Sequence, residues 1–238
     1  MQLPTALAEF AREPDRAAVL LDVDGVLAPI VARPEDARVP EETRSELRRL
    51  AARYALVACI SGRPGDDAQR IVGVDELVYV GEHGLELEPE AEAWVTRMSE
   101  FADATPEWPA ERKRLTLSFH WREARDPTAA VTTLEQVAER ARHAGLVPRW
   151  GRKVLELRPP VGAHKGTAVL RVLADGKLDR ALYAGDDVTD LDAFRALEGL
   201  ELGVRVAVVS GEAPPELAEA ADVVVDGPGE FLALLRAL

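Results

Sequence analysis

Six short apolar runs, separated by stretches of helical periodicity, constrain this 238-residue chain more than any other feature. They begin at Ala17 (AAVLLDVDG), Ala55 (ALVACISGR), Leu77 (LVYVGEHG), Ala181 (ALYAGDD), Val204 (VRVAVV) and Ala221 (ADVVV). An unbroken run such as AAVLL reads as a parallel strand buried on both faces, because a strand with one wet face alternates apolar and polar residues. Helical stretches follow Pro40, where Leu47, Leu50, Ala51 and Tyr54 recur at i, i+3, i+4 and i+7, then Lys165, and then Pro228. Strand and helix in alternation predict an α/β doubly wound parallel sheet with right-handed crossovers.

The middle of the chain has a different rhythm. LTLSFHWR places Leu115, Leu117, Phe119 and Trp121 on one face of a strand and Thr116, Ser118, His120 and Arg122 on the other. A helix follows, with Asp126 as N-cap, Pro127 in the first turn, Val131, Leu134, Val137, Ala138 and Ala141 as its apolar stripe, and Gly145 as its stop. KVLELRP then puts Val154, Glu156 and Arg158 on one strand face and Leu155 and Leu157 on the other. Two half-buried strands around a helix predict a small α+β insert over residues 107–161, in a larger domain of residues 1–106 and 162–238. Pro106, Pro109, Pro159, Pro160 and Gly162 flank the insert as hinges.

Charge narrows the partners. With 29 Lys and Arg against 42 Asp and Glu the net charge is −13, which argues against nucleic acid or an anionic membrane as the main partner. No apolar run approaches a membrane span, and MQLPTALAEFAREP has neither the basic nor the apolar region of a signal peptide. A cytoplasmic protein is expected; the oligomeric state is open, with a monomer favoured. The lone Cys59 excludes an intrachain disulfide and a cysteine zinc site, and its place in an apolar run predicts a buried, inert thiol.

The sharpest chemical signal is DVDGVL, where Asp22 and Asp24 leave a buried strand two residues apart and so converge on one side of its carboxyl end. Two carboxylates there repel unless a cation or a shared proton separates them, and a hard cation such as Mg²⁺ is the natural partner. GDDVTDLDAF adds Asp186, Asp187, Asp190 and Asp192, more acids than capping a helix requires, with Asp186 placed to complete a metal site. Ser61, Gly62 and Arg63 offer a hydroxyl, a flexible amide and a cation after the second strand. Lys165 stands at a helix start, where amides, dipole and ammonium all favour an anion.

In these four segments the chain resembles the haloacid dehalogenase-like phosphohydrolases, whose motifs are DxDG, Ser/Thr, Lys and GDxxxD. It is most similar to their trehalose-phosphatase branch through SGRP, GEHGLE, LSFHWR, GRKVLELRPP, HKG and GDDVTDLDAF. Val26, Trp121 and Leu191 stand where that branch usually has Thr, Tyr and Glu, and none removes a group the chemistry requires. The resemblance implies a Rossmann-like doubly wound core with a smaller inserted α/β cap domain, and Mg²⁺-dependent hydrolysis of a sugar phosphate through an aspartyl-phosphate. It implies Asp22 as nucleophile, Asp24 as acid and base, Ser61 and Lys165 on the phosphoryl oxygens, and Asp22, Asp24 and Asp186 on Mg²⁺. Arg63, His120, Arg122, Glu156 and Arg158 are the expected substrate-binding residues. His83 reads equally well as a packing histidine or a substrate contact, and the roles of Asp187 and Asp190 stay open. Sucrose phosphate or a glycosyl phosphoglycerate remain alternative substrates, and a non-catalytic sugar-phosphate regulator is an alternative from another class.

Overall fold

A computed structural model describes residues 4–31, 33–151, 153–211 and 214–238. The first part of the chain runs α1 (Thr5–Phe10), β1 (Ala17–Leu21), α2 (Glu41–Arg53), β2 (Leu56–Ile60), α3 (Gly65–Val72) and β3 (Val78–Val80). Then come α4 (Pro89–Glu92), α5 (Val95–Asp103), β4 (Glu111–Arg112), β5 (Leu117–His120), α6 (Pro127–His143), β6 (Val147–Gly151) and β7 (Val154–Arg158). The last part is α7 (Lys165–Gly176), β8 (Arg180–Gly185), α8 (Asp190–Ala196), β9 (Leu202–Val209), α9 (Pro215–Ala220), β10 (Val223–Asp226) and α10 (Gly227–Ala237).

These elements form two compact units, 1–84 with 163–238, and 85–162. In the first, six parallel strands lie in the order β10-β9-β8-β1-β2-β3. All five residues of β1 are buried, as an unbroken apolar run requires of a strand covered on both faces. Val19, Leu21, Val57, Leu182 and Val206 share a core with Leu47 and Leu50 of α2 and Phe231 and Leu234 of α10. The chain steps from β1 outward to β3 and returns to β8 on β1's other side, so the strand order reverses between β1 and β8. Loops leaving the carboxyl ends of two such strands diverge and open a crevice, where ligands bind in open α/β sheets.

The second unit is a four-stranded antiparallel sheet, β4-β5-β7-β6, with α6 packed on it. Leu117, Phe119, Leu155 and Leu157 meet Leu134, Val137, Ala138 and Ala141, the faces that alternation and helical period anticipate. Asp126 caps α6, its carboxylate accepting from the amides of Thr128 and Ala129 at 3.0 Å each. The unit begins at Leu85, not at residue 107, because Met98 and Ala102 of α5 are buried in its core. Two strand expectations also change. β5 ends at His120, which leaves Arg122 exposed in a turn and off the strand face; Thr116 and Ser118, assigned to a wet face, are buried. Among the described residues no helix is long and apolar enough to cross a membrane.

Candidate active site

The site of the first unit grows from the switch between β1 and β8. Leu21 pairs with Ala184, and the next amide, Asp22 N–H, donates to Ala184 O at 2.9 Å, so the Asp22 side chain emerges beside the end of β8. Gly25 turns the chain away with φ +80°, and a Cβ there would collide with the Asp186 carboxylate. A glycine is needed for both reasons, the left-handed backbone and the space. Lys165 opens α7, whose N-cap is His164: its Nδ1 accepts the Thr167 amide, and the Thr167 hydroxyl accepts the His164 amide in return.

Lys165 is buried with its ammonium 2.9 Å from Asp22 Oδ2 and 2.7 Å from Asp190 Oδ1. Asp190 is the most heavily bonded acid of the group. Its Oδ1 accepts from Lys165 and from the Tyr183 hydroxyl at 2.7 Å, and its Oδ2 from the amides of Asp186 and Asp187 at 3.0 Å. Carboxylate oxygens of Asp22, Asp186 and Asp190 lie within 4.8 Å of one another. Burial, opposed by Lys165 and reinforced by Asp190, pushes the Asp22 carboxyl up to about 7; burial and the nearby Asp22 and Asp190 push Asp186 up to about 9. Burial alone would lower the Lys165 ammonium, but Asp190 and Asp22 override it and hold that ammonium above its ordinary range.

This donor set suits a hard divalent cation: it is all oxygen, it is buried, and its acids carry more repulsion than one ammonium relieves. Because the two Asp190 oxygens already accept four hydrogen bonds between them, Asp22 and Asp186 are the residues that would hold the ion, with Asp190 fixing Lys165 and the loop behind them. Asp24, expected as the third metal ligand, lies outside this cluster. Its two oxygens accept a fork from Arg63, Nε at 2.6 Å and Nη2 at 2.8 Å. The reason is local: the turn at Gly25 carries the chain off the strand axis, so the alternation that would align residues 22 and 24 ends at Asp22.

Ser61 follows β2 and is buried; its amide donates to Val80 O, and its Oγ accepts the Arg63 amide at 3.1 Å. Arg63, expected to bind substrate, instead spans Asp24 and Asp67, the latter at 2.9 Å. Asp67 and Tyr183 were not among the expected site residues. Asp67 had a readable signal, an acid four residues after Arg63 in the first turn of α3, whereas nothing in the sequence distinguishes Tyr183 from the other apolar-run residues. Cys59 is buried and burial pushes its thiol up, as an inert core cysteine requires.

The remaining expected residues sit on the second unit. Glu156 pairs across the sheet with Ser118 and Arg149, and its carboxylate is 3.8 Å from Lys113 Nζ and 3.9 Å from Arg158 Nε. All three of these charged side chains are largely buried. His120 Nε2 is 2.6 Å from Glu111 on the neighbouring strand. Lys113 was not expected; it sits just beyond β4, a strand too short to leave a pattern.

A Rossmann-like sheet with DxDG after β1, serine after β2, lysine opening α7 and GDxxxD after β8 defines a haloacid dehalogenase-like hydrolase. Residues 20–228 match the family profile described as trehalose-phosphatase. A Zea mays trehalose 6-phosphate phosphatase is 31% identical over 273 residues, covering 99% of this chain and 74% of its own length. A Mycobacterium avium trehalose-phosphate phosphatase is 36% identical over 205 residues, with 76% of this chain and 51% of its own length covered. In fold, the C-terminal domain of Candida albicans trehalose-6-phosphate phosphatase superposes with a TM-score of 0.76 at 23% identity, over 97% of this chain and 95% of that one. The chain belongs to the trehalose-phosphatase family, and with it to the phosphoric monoester hydrolases.

Proposed function

We propose that this protein hydrolyses trehalose 6-phosphate to trehalose and phosphate through an aspartyl-phosphate formed on Asp22. The observation that carries the reading is the buried Asp22 carboxylate at the strand switch, with Lys165 2.9 Å from one oxygen and Asp186 beside it. Asp22 attacks phosphorus, and the bond from phosphorus to the sugar oxygen breaks. Asp24 supplies that oxygen with its proton, for which one of its oxygens must first leave the Arg63 fork. A water then attacks phosphorus, Asp24 takes its proton, and the bond from phosphorus to Asp22 breaks to release phosphate and restore the carboxylate.

Ser61 and Lys165 hold the transferring phosphoryl oxygens, Lys165 from a place already fixed by Asp190. Asp22 and Asp186 would hold Mg²⁺, which when bound would neutralise charge on the phosphoryl group. The second unit selects the sugar, through Glu156, Arg158 and His120, with Lys113 added to the set and Arg122, exposed in a turn, left out of it. Phosphate release from trehalose 6-phosphate, sucrose phosphate, a glycosyl phosphoglycerate and an aryl phosphate, with and without Mg²⁺, tests this. Release is expected to be fastest from trehalose 6-phosphate and to vanish in EDTA; a preference for another sugar phosphate would change the substrate, and no release from any would remove the enzyme reading.

A further inference from the structure

Among the described residues of the first unit, the backbone departs most from ordinary conformations at Glu82–His83–Gly84, just past β3. Glu82 and His83 have φ of +47° and +57°, and Gly84 has +96°, so three successive residues are left-handed and two of them carry side chains. Glu82 is also fully buried. Side-chain residues held left-handed in a buried segment persist only when the surroundings over-determine them, and such strain concentrates at functional sites. The surroundings here are the two segments that carry the phosphate-holding side chains. On one side, Glu82 N–H donates to Arg63 O at 2.8 Å and His83 N–H to Ser61 O at 2.9 Å, so the turn is stitched to the serine loop at both ends. The His83 ring lies over the residue between them: a Cβ on Gly62 would be 2.7 Å from His83 Nε2. On the other side, a Cβ on Gly84 would meet Ala168 Cβ at 2.9 Å and His164 O at 3.3 Å, against the first turn of the helix that Lys165 opens.

We propose that this strained turn sets the spacing between Ser61 and Lys165, and that His83 is a positioning residue for the phosphoryl group and makes no contact with the sugar. The inference rests on the assignment of Ser61 and Lys165 to the phosphoryl oxygens. β2 and α7 reach the site from separate parts of the chain. The turn touches both, through the ring and two amides on the serine side and through backbone contact at Gly84 on the lysine side. The ring explains why residue 62 has no side chain, and the left-handed backbone is what brings ring and amides onto the same loop.

His83→Asn and His83→Ala test this, with kcat/KM measured on trehalose 6-phosphate and on an aryl phosphate. Asn tolerates the left-handed backbone and removes the ring. Both substrates present the same phosphoryl group, so both should lose kcat/KM by a similar factor, on the order of 10- to 100-fold for a displacement near an ångström. A loss confined to trehalose 6-phosphate would make His83 a sugar contact and overturn the proposal, as would wild-type rates on both. A second pair guards against a variant that fails to fold. Gly62→Ala alone should lose activity on both substrates by collision with the ring, and Gly62→Ala with His83→Gly should lose no more than His83→Ala alone, because the added methyl then has no ring to meet; no loss from Gly62→Ala, or losses that multiply in the double variant, would also overturn the proposal. Wild-type protein and Asp22→Asn run alongside: an inactive wild type or an active Asp22→Asn would instead fail the assignment on which the inference rests.

Discussion

Replacing Asp190 by asparagine keeps the side chain's shape and removes its charge, at a residue that accepts four hydrogen bonds in the core. Asparagine has one oxygen. Turned toward the amides of Asp186 and Asp187 it keeps those two bonds, and its own NH₂ then faces two donors, the Lys165 ammonium and the Tyr183 hydroxyl. Lys165, 2% exposed, is left with Asp22 as its remaining carboxylate among the described residues. Breaking a buried ion pair by neutralising one partner costs about 3–5 kcal/mol. Asp190 also repels Asp22 and Asp186, so its neutralisation returns part of that, and the lower end, about 3 kcal/mol, is the expected net cost. For a chain of this length that lowers Tm by about 6–12 °C. Calorimetry in EDTA, where no bound metal offsets the loss, measures it directly. A Tm within about 2 °C of wild type would refute the argument, since Asp190 would then contribute to chemistry alone.

Asp22→Asn should abolish phosphate release with the fold intact, because the amide cannot form the acyl phosphate; wild-type-like turnover would remove Asp22 as nucleophile. Asp24→Asn should cost about 10²–10⁴-fold in kcat for a sugar phosphate, and a loss below about tenfold would point to another proton donor. Without metal, Asp22 and Asp186 in the folded chain retain protons that the unfolded chain has released, so stability falls as pH rises from the ordinary carboxylate range through about 7 and on to about 9. The Tm of the metal-free protein should therefore drop across that window, and Mg²⁺ should raise Tm more at its upper end; a flat profile would contradict the buried-acid argument. Glu156→Ala should reduce kcat/KM for trehalose 6-phosphate about 10- to 150-fold, one hydrogen bond to a charged group, and leave an aryl phosphate nearly unchanged. Equal losses on both would assign Glu156 to the fold through Lys113 and Arg158.

The legible parts of the molecule are those where one residue type in one pattern admits one physical solution. β1 and β8 were readable because apolar runs without alternation have no wet face, and Asp22, Asp186 and Lys165 because they stand where such a run or a helix begins or ends. What the sequence hid were contacts between residues far apart in it. Arg63 and Asp24 are 39 residues apart, and they meet because β1 and β2 are neighbours in a particular register. Asp190 looked like one of several helix-start acids. Its contacts with Lys165 and Tyr183, which come from other segments, show that it turns inward. The boundary at Leu85 was hidden for a related reason: Met98 and Ala102 show that α5 has an apolar side and not which core that side joins.

The charge at the switch also orders events there. Asp22, Asp186 and Asp190 with Lys165 sum to two negative charges when all are ionised, three carboxylates less one ammonium, in a largely buried site. A phosphoryl dianion approaching Asp22 under those conditions would bring two more negative charges to a place already short of cations, and the desolvated repulsion would oppose contact. A divalent cation held by Asp22 and Asp186 would cancel the resident charge, and the phosphoryl oxygens could then approach. The same arrangement explains why Lys165 is tied to Asp190. An ammonium pinned between two acids cannot swing out to neutralise phosphate alone, so the metal-free protein is expected to bind phosphate weakly at any pH where Asp22 and Asp186 are ionised, and added Mg²⁺ is expected to strengthen that binding.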